Sequence, residues 1–415
     1  MIKRLVLGLS LPILLFSESL NDLIEMSLKN KNIMATEKNV ESIQDEYKSV
    51  KRGYLPSLSV GGGYTDVSTE TASNANNALD AYVDLSYSLY DGGKKDLTYK
   101  SYKTQINSSK EDLMTLKNEV SLDVIKHYFD YLTYISEKDA KLTEIEQLTA
   151  QHQRLSKFLD AGTTTIDEID RIVSNLESAN VELHELDLNI ETVLHELEYI
   201  TGKRVNINEG SFIEVNNEEN ELRNDIKSLE FNTKTKLLEA KTVKTVDNPQ
   251  ITLDNTFTYY DNNYNSSTYE SSSSNLDKQN VFSVNLTWNL FNFGSTKAAY
   301  DSKHKSFLST KSKLEYEKNK AEVDLSLAIK SYEIAKLKIK SANAALRAAV
   351  STYDVVKNKY ENGLVDNVSY LEALSDKSDA QSALSAAKYN LEVRKANVMY
   401  QKGKNVWEYV KWKNY

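Results

Sequence analysis

Two hydrophobic periodicities divide this chain. In four short segments apolar and polar residues alternate. Val83, Leu85, Tyr87 and Leu89 share one face, with Asp84, Ser86 and Ser88 on the other. Phe282, Val284, Leu286, Trp288 and Leu290 oppose Ser283, Asn285, Thr287 and Asn289. Leu58 to Val67 and Ile251 to Tyr260 alternate in the same way, the latter with Ile251, Leu253, Phe257 and Tyr259 together. A period of two predicts strands, at 57–67, 81–90, 250–260 and 281–290. Pro56 and Pro249 each stand just before a strand, where the missing N–H is tolerated. Gly61-Gly62-Gly63 predicts a bend or close packing in the first strand. Polar linkers, Ser68–Asp80 and Asn262–Asn280, join the strands in pairs and read as exposed loops.

Elsewhere the pattern is helical. From Lys94 to Ala161, and from Ser295 to Asn362, the chain has neither Pro nor Gly and is rich in Lys, Glu, Leu and Ala. Long helices are expected at 94–161 and 295–362, each a rod of roughly 100 Å. Gly162 and Gly363 would end them as C-caps. Return helices follow at 165–200 and 368–401. The two halves are copies at a constant offset of 201 residues (290 − 89). Leu89-Tyr90-Asp91-Gly92-Gly93 recurs as Leu290-Phe291-Asn292-Phe293-Gly294, and Tyr199–Lys203 as Tyr400–Lys404. The organisation read from this is a first repeat over 20–201, a polar linker block over 202–228, a second repeat over 229–404 and a tail over 405–415. Residues 1–19 read as a secretory signal, with Lys3 and Arg4 before an apolar run from Leu5 to Phe16.

Composition narrows the classes. No cysteine is present, which excludes disulfides, thiolate metal sites and an acylated N-terminal cysteine. A net charge of −9 disfavours a nucleic-acid partner. The 26 tyrosines suit surfaces wet on one side and apolar on the other, although mean hydropathy is −0.53.

Strands of about ten residues with one apolar and one polar face fit a transmembrane β-barrel. Four strands cannot close one, since small barrels need about eight. An open edge is not viable in lipid. The barrel must then be shared among chains, and three copies supply twelve strands. Long amphipathic rods bury their stripes against other rods, helped by small residues such as Ala342, Ala345 and Ala349. A secreted trimeric coiled-coil stalk or adhesin without a conduit role is the rival expectation; the water-lined strand faces have no use in it.

The ordered set resembles the TolC-type outer-membrane efflux family. It comprises Tyr54-Leu55-Pro56-Ser57-Leu58 closing the first helix, the strand-to-helix junctions at Gly93 and Gly294, the hairpins at Gly162 and Gly363, and the duplication itself. The resemblance covers Leu20 to about Gly403. It implies an α+β membrane protein and a homotrimer. Four strands per chain would form a twelve-stranded outer-membrane β-barrel continuous with a long periplasmic α-helical barrel, and the linker block a collar. It implies residence in the outer membrane of a Gram-negative bacterium, among outer-membrane lipid. The partners implied are a periplasmic adaptor and an inner-membrane pump, in efflux or type I secretion of drugs, proteins or metal. By the same resemblance the hairpin tips form the periplasmic gate. Glu168, Tyr360 and Glu372 fall on the family's gate or acidic-ring positions. Ser369 stands where the family has a second ring acid, and Val365 where it has an arginine. Asp167, Asp170 and Asp366 offer substitute carboxylates.

No other chemistry competes. Asp167, Glu168 and Asp170 crowd a helix start, where the dipole alone favours acids and where a threefold acidic mouth would also lie. His127, His152, His184, His195 and His304 are scattered, without metal-ligand spacing. Gly92-Gly93-Lys94-Lys95 lacks phosphate-loop spacing and reads as a turn. No catalytic constellation, cofactor or metal site is expected. Trp288, Tyr64, Tyr82, Tyr87, Tyr90 and Tyr259 are candidates for an interfacial aromatic girdle.

Overall fold

A computed structural model describes residues 17–216, 219–272 and 277–412. The apolar run of the signal segment, Ser273-Ser274 and the last three residues lie outside these. Helices α1 (Leu20–Ser27) and α2 (Lys31–Gly53) lead into strands β1 (Ser57–Asp66) and β2 (Asn77–Asp91), then α3 (Lys94–Asp160) and α4 (Ile166–Thr201). After β3 (Ser211–Ile213) the plan repeats. It runs through α5 (Asn224–Val243), β4 (Gln250–Asn263), a short α6 (Ser267–Ser272), β5 (Lys278–Thr287), α7 (Ser295–Glu361) and α8 (Asn367–Gln401), and closes with β6 (Val410–Trp412). No described helix is long and apolar enough to cross a membrane.

The chain divides into two compact units, and α3 and α7 contribute to both. One unit, 36–112 with 225–318, holds a four-stranded antiparallel sheet in the order β1-β2-β4-β5. Register lines up Val60, Val83 and Phe257 on one face, and Ser57, Ser86, Asp254 and Ser283 on the other. The polar face is hydrogen-bonded: Ser86 Oγ donates to Asp254 at 2.6 Å, Thr256 Oγ1 to Asp84 at 2.6 Å and Asn285 Nδ2 to Asp254 at 2.9 Å. The glycine triplet has a specific use. A Cβ on Gly61 would lie 2.5 Å from the Tyr82 ring, so glycine lets that ring rest across β1.

Six of the eight strand ends differ from the expected ones, by one to four residues, and two of them show why. β2 starts at Asn77, because Asp66 pairs with Asn77 and the loop tightens to a Thr71–Asn74 turn. β5 ends at Thr287, since its partner β4 starts at Gln250, just after Pro249. Trp288 Nε1 then donates to the Asp247 carbonyl at 3.0 Å instead of pairing with a strand. In the same unit α5 meets α3 through hydroxyls, Thr104 to Thr235 at 2.7 Å and Ser108 to Ser228 at 2.9 Å.

The other unit, 113–224 and 319–412 with α1, has two cores. In the first, Leu20 and Leu23 of α1 and Val124, Ile125, Tyr128 and Phe129 of α3 meet Leu197, Ile213, Met399 and Val406. The expected linker and tail build part of it: β3 pairs with β6 across 211–213 and 410–412. Glu18 and Ser19 belong to the fold as well. The Glu18 amide donates to the Asn206 carbonyl at 2.6 Å, and Ser19 caps α1 in a capping box with Asp22. The second core joins α3, α4, α7 and α8 beside the hairpin turns, through Leu148, Leu155, Ile169, Ile172, Tyr353, Tyr370, Leu371 and Leu374.

The duplication extends to backbone conformation. Gly93 and Gly294, Gly162 and Gly363, and Gly202 and Gly403 all have positive φ. At both hairpins the chain turns through the same bonds, Thr163 N to Phe158 O and Leu364 N to Lys359 O, each at 2.8 Å.

Candidate functional site

The hairpin ends of α3, α4, α7 and α8 gather most of the residues singled out in the sequence. Tyr360, near the end of α7, is the hub. Its hydroxyl accepts from Gln151 Nε2 on α3. One turn back on α3 and two back on α7, Tyr353 donates to Gln147 Oε1 at 2.7 Å. The Tyr360 ring stacks on Tyr370 of α8 with centroids 4.9 Å apart, and the Arg154 guanidinium lies over it at 5.7 Å. Lys377 sits over Tyr353 at 4.4 Å. Three of the four helices are thus joined through tyrosines.

Burial pushes the Tyr360 phenol above the ordinary tyrosine value, and the Glu168 carboxylate pushes it further, against the pull of Arg154. Burial beside Tyr353 and Tyr360 pushes Tyr370 far higher. Both phenols stay neutral donors and acceptors at any physiological pH.

The candidate acids separate into distinct settings. Glu168 is half-buried and accepts from Thr164 Oγ1 at 2.6 Å. Asp366 is the N-cap of α8 and accepts from the Ser369 amide at 2.9 Å. The Ser369 hydroxyl and amide, aided by Arg171, hold its carboxyl below the ordinary aspartate value. Ser369, which replaces an acid of the resembled family, here serves the cap. Asp167, Asp170 and Glu372 are exposed, and Val365 is half-exposed. The geometry brings Glu168 to Tyr360 and Arg171 to Asp366. It gives Asp167, Asp170 and Glu372 no such place among the described contacts.

Sequence reasoning missed Gln147, Gln151, Arg154, Tyr353, Tyr370 and Asn367. Asn367 is buried with neither amide atom hydrogen-bonded among the described residues. Its counterpart in the first copy, Ile166, is 60 % exposed.

At the junctions Asp91 caps α3, accepting from Lys95 N at 2.7 Å. A Cβ on Gly92 would meet the Thr245 carbonyl at 2.5 Å. Its counterpart, Phe293, is the only described non-glycine residue with positive φ, at 52°, and is 90 % exposed. No group of three or more metal-ligating side chains is assembled among the described residues.

Two surfaces are unfinished in the single chain. On the sheet, Leu58, Val60, Val284 and Leu286 are exposed, and β1 and β5 pair on one side only. On α7, Tyr316, Val323, Leu327, Ile334 and Leu337 fall at coiled-coil spacing and are exposed. Their counterparts on α3 are Thr115, Leu122, Lys126, Thr133 and Ser136, mostly polar, so this stripe belongs to the second copy alone.

A family model described as outer membrane efflux protein matches residues 23–203 and again 216–400. Solved structures match in fold at low identity. The outer membrane protein VceC of Vibrio cholerae superposes with a TM-score of 0.79 at 13% identity, over 93% of this chain and 96% of that one. The CmeC outer membrane channel of Campylobacter jejuni gives 0.80 at 18%, over 92% and 85%. The open state of the MtrE outer membrane channel of Neisseria gonorrhoeae gives 0.75 at 16%, over 93% and 89%. No protein of curated function matches the sequence.

Proposed function

The chain belongs to the outer membrane efflux protein family, and on that footing we propose that three copies form the exit duct of a tripartite system. The duct is passive. It stands in the outer membrane of a Gram-negative bacterium and receives its load from an inner-membrane pump through a periplasmic adaptor. Each chain lends four strands to a shared barrel, whose lipid face is the exposed apolar face of the sheet and whose lumen is the polar face with Asp84 and Asp254. The helical hairpins form the gate. Tyr360 with Gln151, and Tyr353 with Gln147, tie α7 to α3 in the closed form. Glu168, Asp167, Asp170, Asp366 and Glu372, repeated threefold, present carboxylates at the mouth.

The observation that carries this reading is the unfinished sheet. Two edges unpaired on one side and an exposed apolar face cannot stand in lipid as one chain. Twelve strands close the edges. The polar face, lined with bonded carboxylates and hydroxyls, suits water and not a packed core, which speaks against a solid stalk. Purified protein in planar bilayers is expected to conduct, with conductance rising when Tyr360→Phe and Glu168→Gln are combined. A protein that never conducts, in either form, would refute the duct.

A further inference from the structure

The two rims of the four-stranded sheet differ in charge. At one rim β1 and β4 begin while β2 and β5 end, since Ser57 pairs with Ser86, and Gln250 with both Asp91 and Thr287. The segments beside this rim, 47–56, 92–105, 241–249 and 288–305, all belong to the sheet's own unit. They hold twelve lysines and arginines against three acids, a net of +9 (12 − 3) in a chain whose total is −9. At the other rim the segments 66–80 and 261–278 hold six acids against one lysine. Among the described residues only two of the twelve cations reach a carboxylate, Lys48 to Asp45 at 2.8 Å and Lys303 to Glu239 at 3.9 Å.

Helix electrostatics account for only part of this. Lys51 and Arg52 end α2 and Lys241 ends α5, where the dipole favours cations. Lys94 and Lys95 open α3, with Asp96 to offset one of them, and Lys297 opens α7, whose first turn has no acid. The dipole disfavours cations at both places, so their charge needs another reason. Apolar residues lie at the same level. Trp288, Phe291 and Phe293, between β5 and α7, are exposed. Phe293 keeps a left-handed φ of 52°, and strain of that kind clusters at functional positions. Trp288 continues the apolar alternation of β5. Its bond to the Asp247 carbonyl ties the turn that starts at Lys244 to the apolar side of the sheet.

We propose that this rim is a collar that binds the phosphate groups of anionic phospholipids, phosphatidylglycerol or cardiolipin, in the leaflet on the helical side. This rests on the reading of the sheet as part of an outer-membrane barrel, and the test separates the two claims. A headgroup layer is about 5–7 Å deep on each side of a bilayer. Helices rise about 1.5 Å per residue, so Lys94 and Lys95, three and four residues past the end of β2, lie within it. Cations farther along the helices attract the same phosphates over the roughly 10 Å that salt leaves unscreened. The exposed aromatics fill the boundary between headgroups and acyl chains. Repeated threefold, the collar selects the lipids around the duct and fixes its depth.

Trp288 is a built-in reporter. The full chain is reconstituted in phosphatidylcholine bilayers with a minor share of phosphatidylglycerol, and one lipid or the other carries bromine on its acyl chains to quench tryptophan. The Trp288 signal is the difference from Trp288→Phe protein. Brominated phosphatidylglycerol should be enriched about three- to tenfold near Trp288 over its bulk share at low salt, and the enrichment should fade at about 0.5 M salt. Lys94→Gln/Lys95→Gln/Lys297→Gln should lose most of it and melt no lower than the parent, since cations leave two helix N-termini. Lys338→Gln/Lys340→Gln, at exposed positions farther along α7, should keep it. Inorganic phosphate at constant ionic strength should not displace the lipid; displacement would make the collar a site for free anions and overturn the lipid assignment. Equal quenching by the two brominated lipids at low salt overturns the collar while the barrel reading stands. Enrichment that survives in the triple variant overturns the role of these lysines. Quenching by neither lipid takes this rim out of the membrane, and the barrel reading falls together with the collar.

Discussion

Replacing Leu327 with aspartate should break the assembly apart. In the single chain Leu327 is 64 % exposed, on a stripe with Val323 and Leu337. Complete burial of a leucine contributes about 1.5–3 kcal/mol, so covering the exposed part against a neighbouring copy contributes about 1–2 kcal/mol. In the proposed trimer three equivalent sites give about 3–6 kcal/mol, or roughly two to four powers of ten in association. A carboxylate forfeits that gain and adds a desolvation cost of several kcal/mol at each site. Light scattering of detergent-solubilised protein should report a trimer for the parent and smaller species for Leu327→Asp across the micromolar range. Lys340→Asp, at an exposed position on the same helix, should leave the mass unaltered. A Leu327→Asp protein with the parent's mass and dissociation midpoint would mean that this stripe faces water in the assembly, and the coiled-coil reading of it would fail.

Other outcomes follow from local geometry. Tyr360→Phe leaves the buried Gln151 amide without its partner, a cost of about 1–3 kcal/mol to the closed form, so open probability in bilayers should rise about 5- to 150-fold. Equal opening of the two proteins would remove this bond from the gate. Phe293→Gly relieves a left-handed, exposed residue whose ring lies 4.7 Å from that of Phe291, and should stabilise by about 1 kcal/mol, read as a higher melting temperature. Gly92→Ala should do the opposite, since its Cβ meets the Thr245 carbonyl; an unaffected melting temperature would contradict that contact. Asp366 has a lowered folded pKa, so its cap stabilises α8 above the ordinary aspartate value of 3.8 and the contribution fades as pH falls through the lower, folded value. The melting difference between the parent and Asp366→Ala should therefore be constant from pH 7 to 5 and shrink toward pH 2.5.

Much of the fold can be read from periodicity, because lipid, water and helix packing each impose one. The strand alternation survives in the sheet register, and the paired glycines at 162 and 363 take the left-handed conformation that their place after a long helix requires. The strand ends were less legible. Thr287 is the last residue of β5 because Gln250 is the first of β4, a limit set by the partner strand. At the hairpins, Tyr360 and Glu168 stood out through family resemblance, whereas Gln147 and Gln151 look like any solvated helix positions. Their partners are more than two hundred residues away in sequence, and only the packing of α3 on α7 brings them together. Lys141 of α3, buried and 2.7 Å from Glu182 of α4, was hidden for the same reason: a lysine in a charged helix reads as surface until Glu182 arrives from the next helix.

The unpaired edges of β1 and β5 have a genetic consequence. In the proposed three-chain barrel the ring of strands needs every contributor, so one chain with a spoiled edge disables two sound ones. If sound and defective subunits are made equally and mix at random, only about an eighth of the rings contain three sound chains. Defects in the strands should therefore be dominant over the wild-type copy, whereas a chain that never folds, and so never joins a ring, should be recessive.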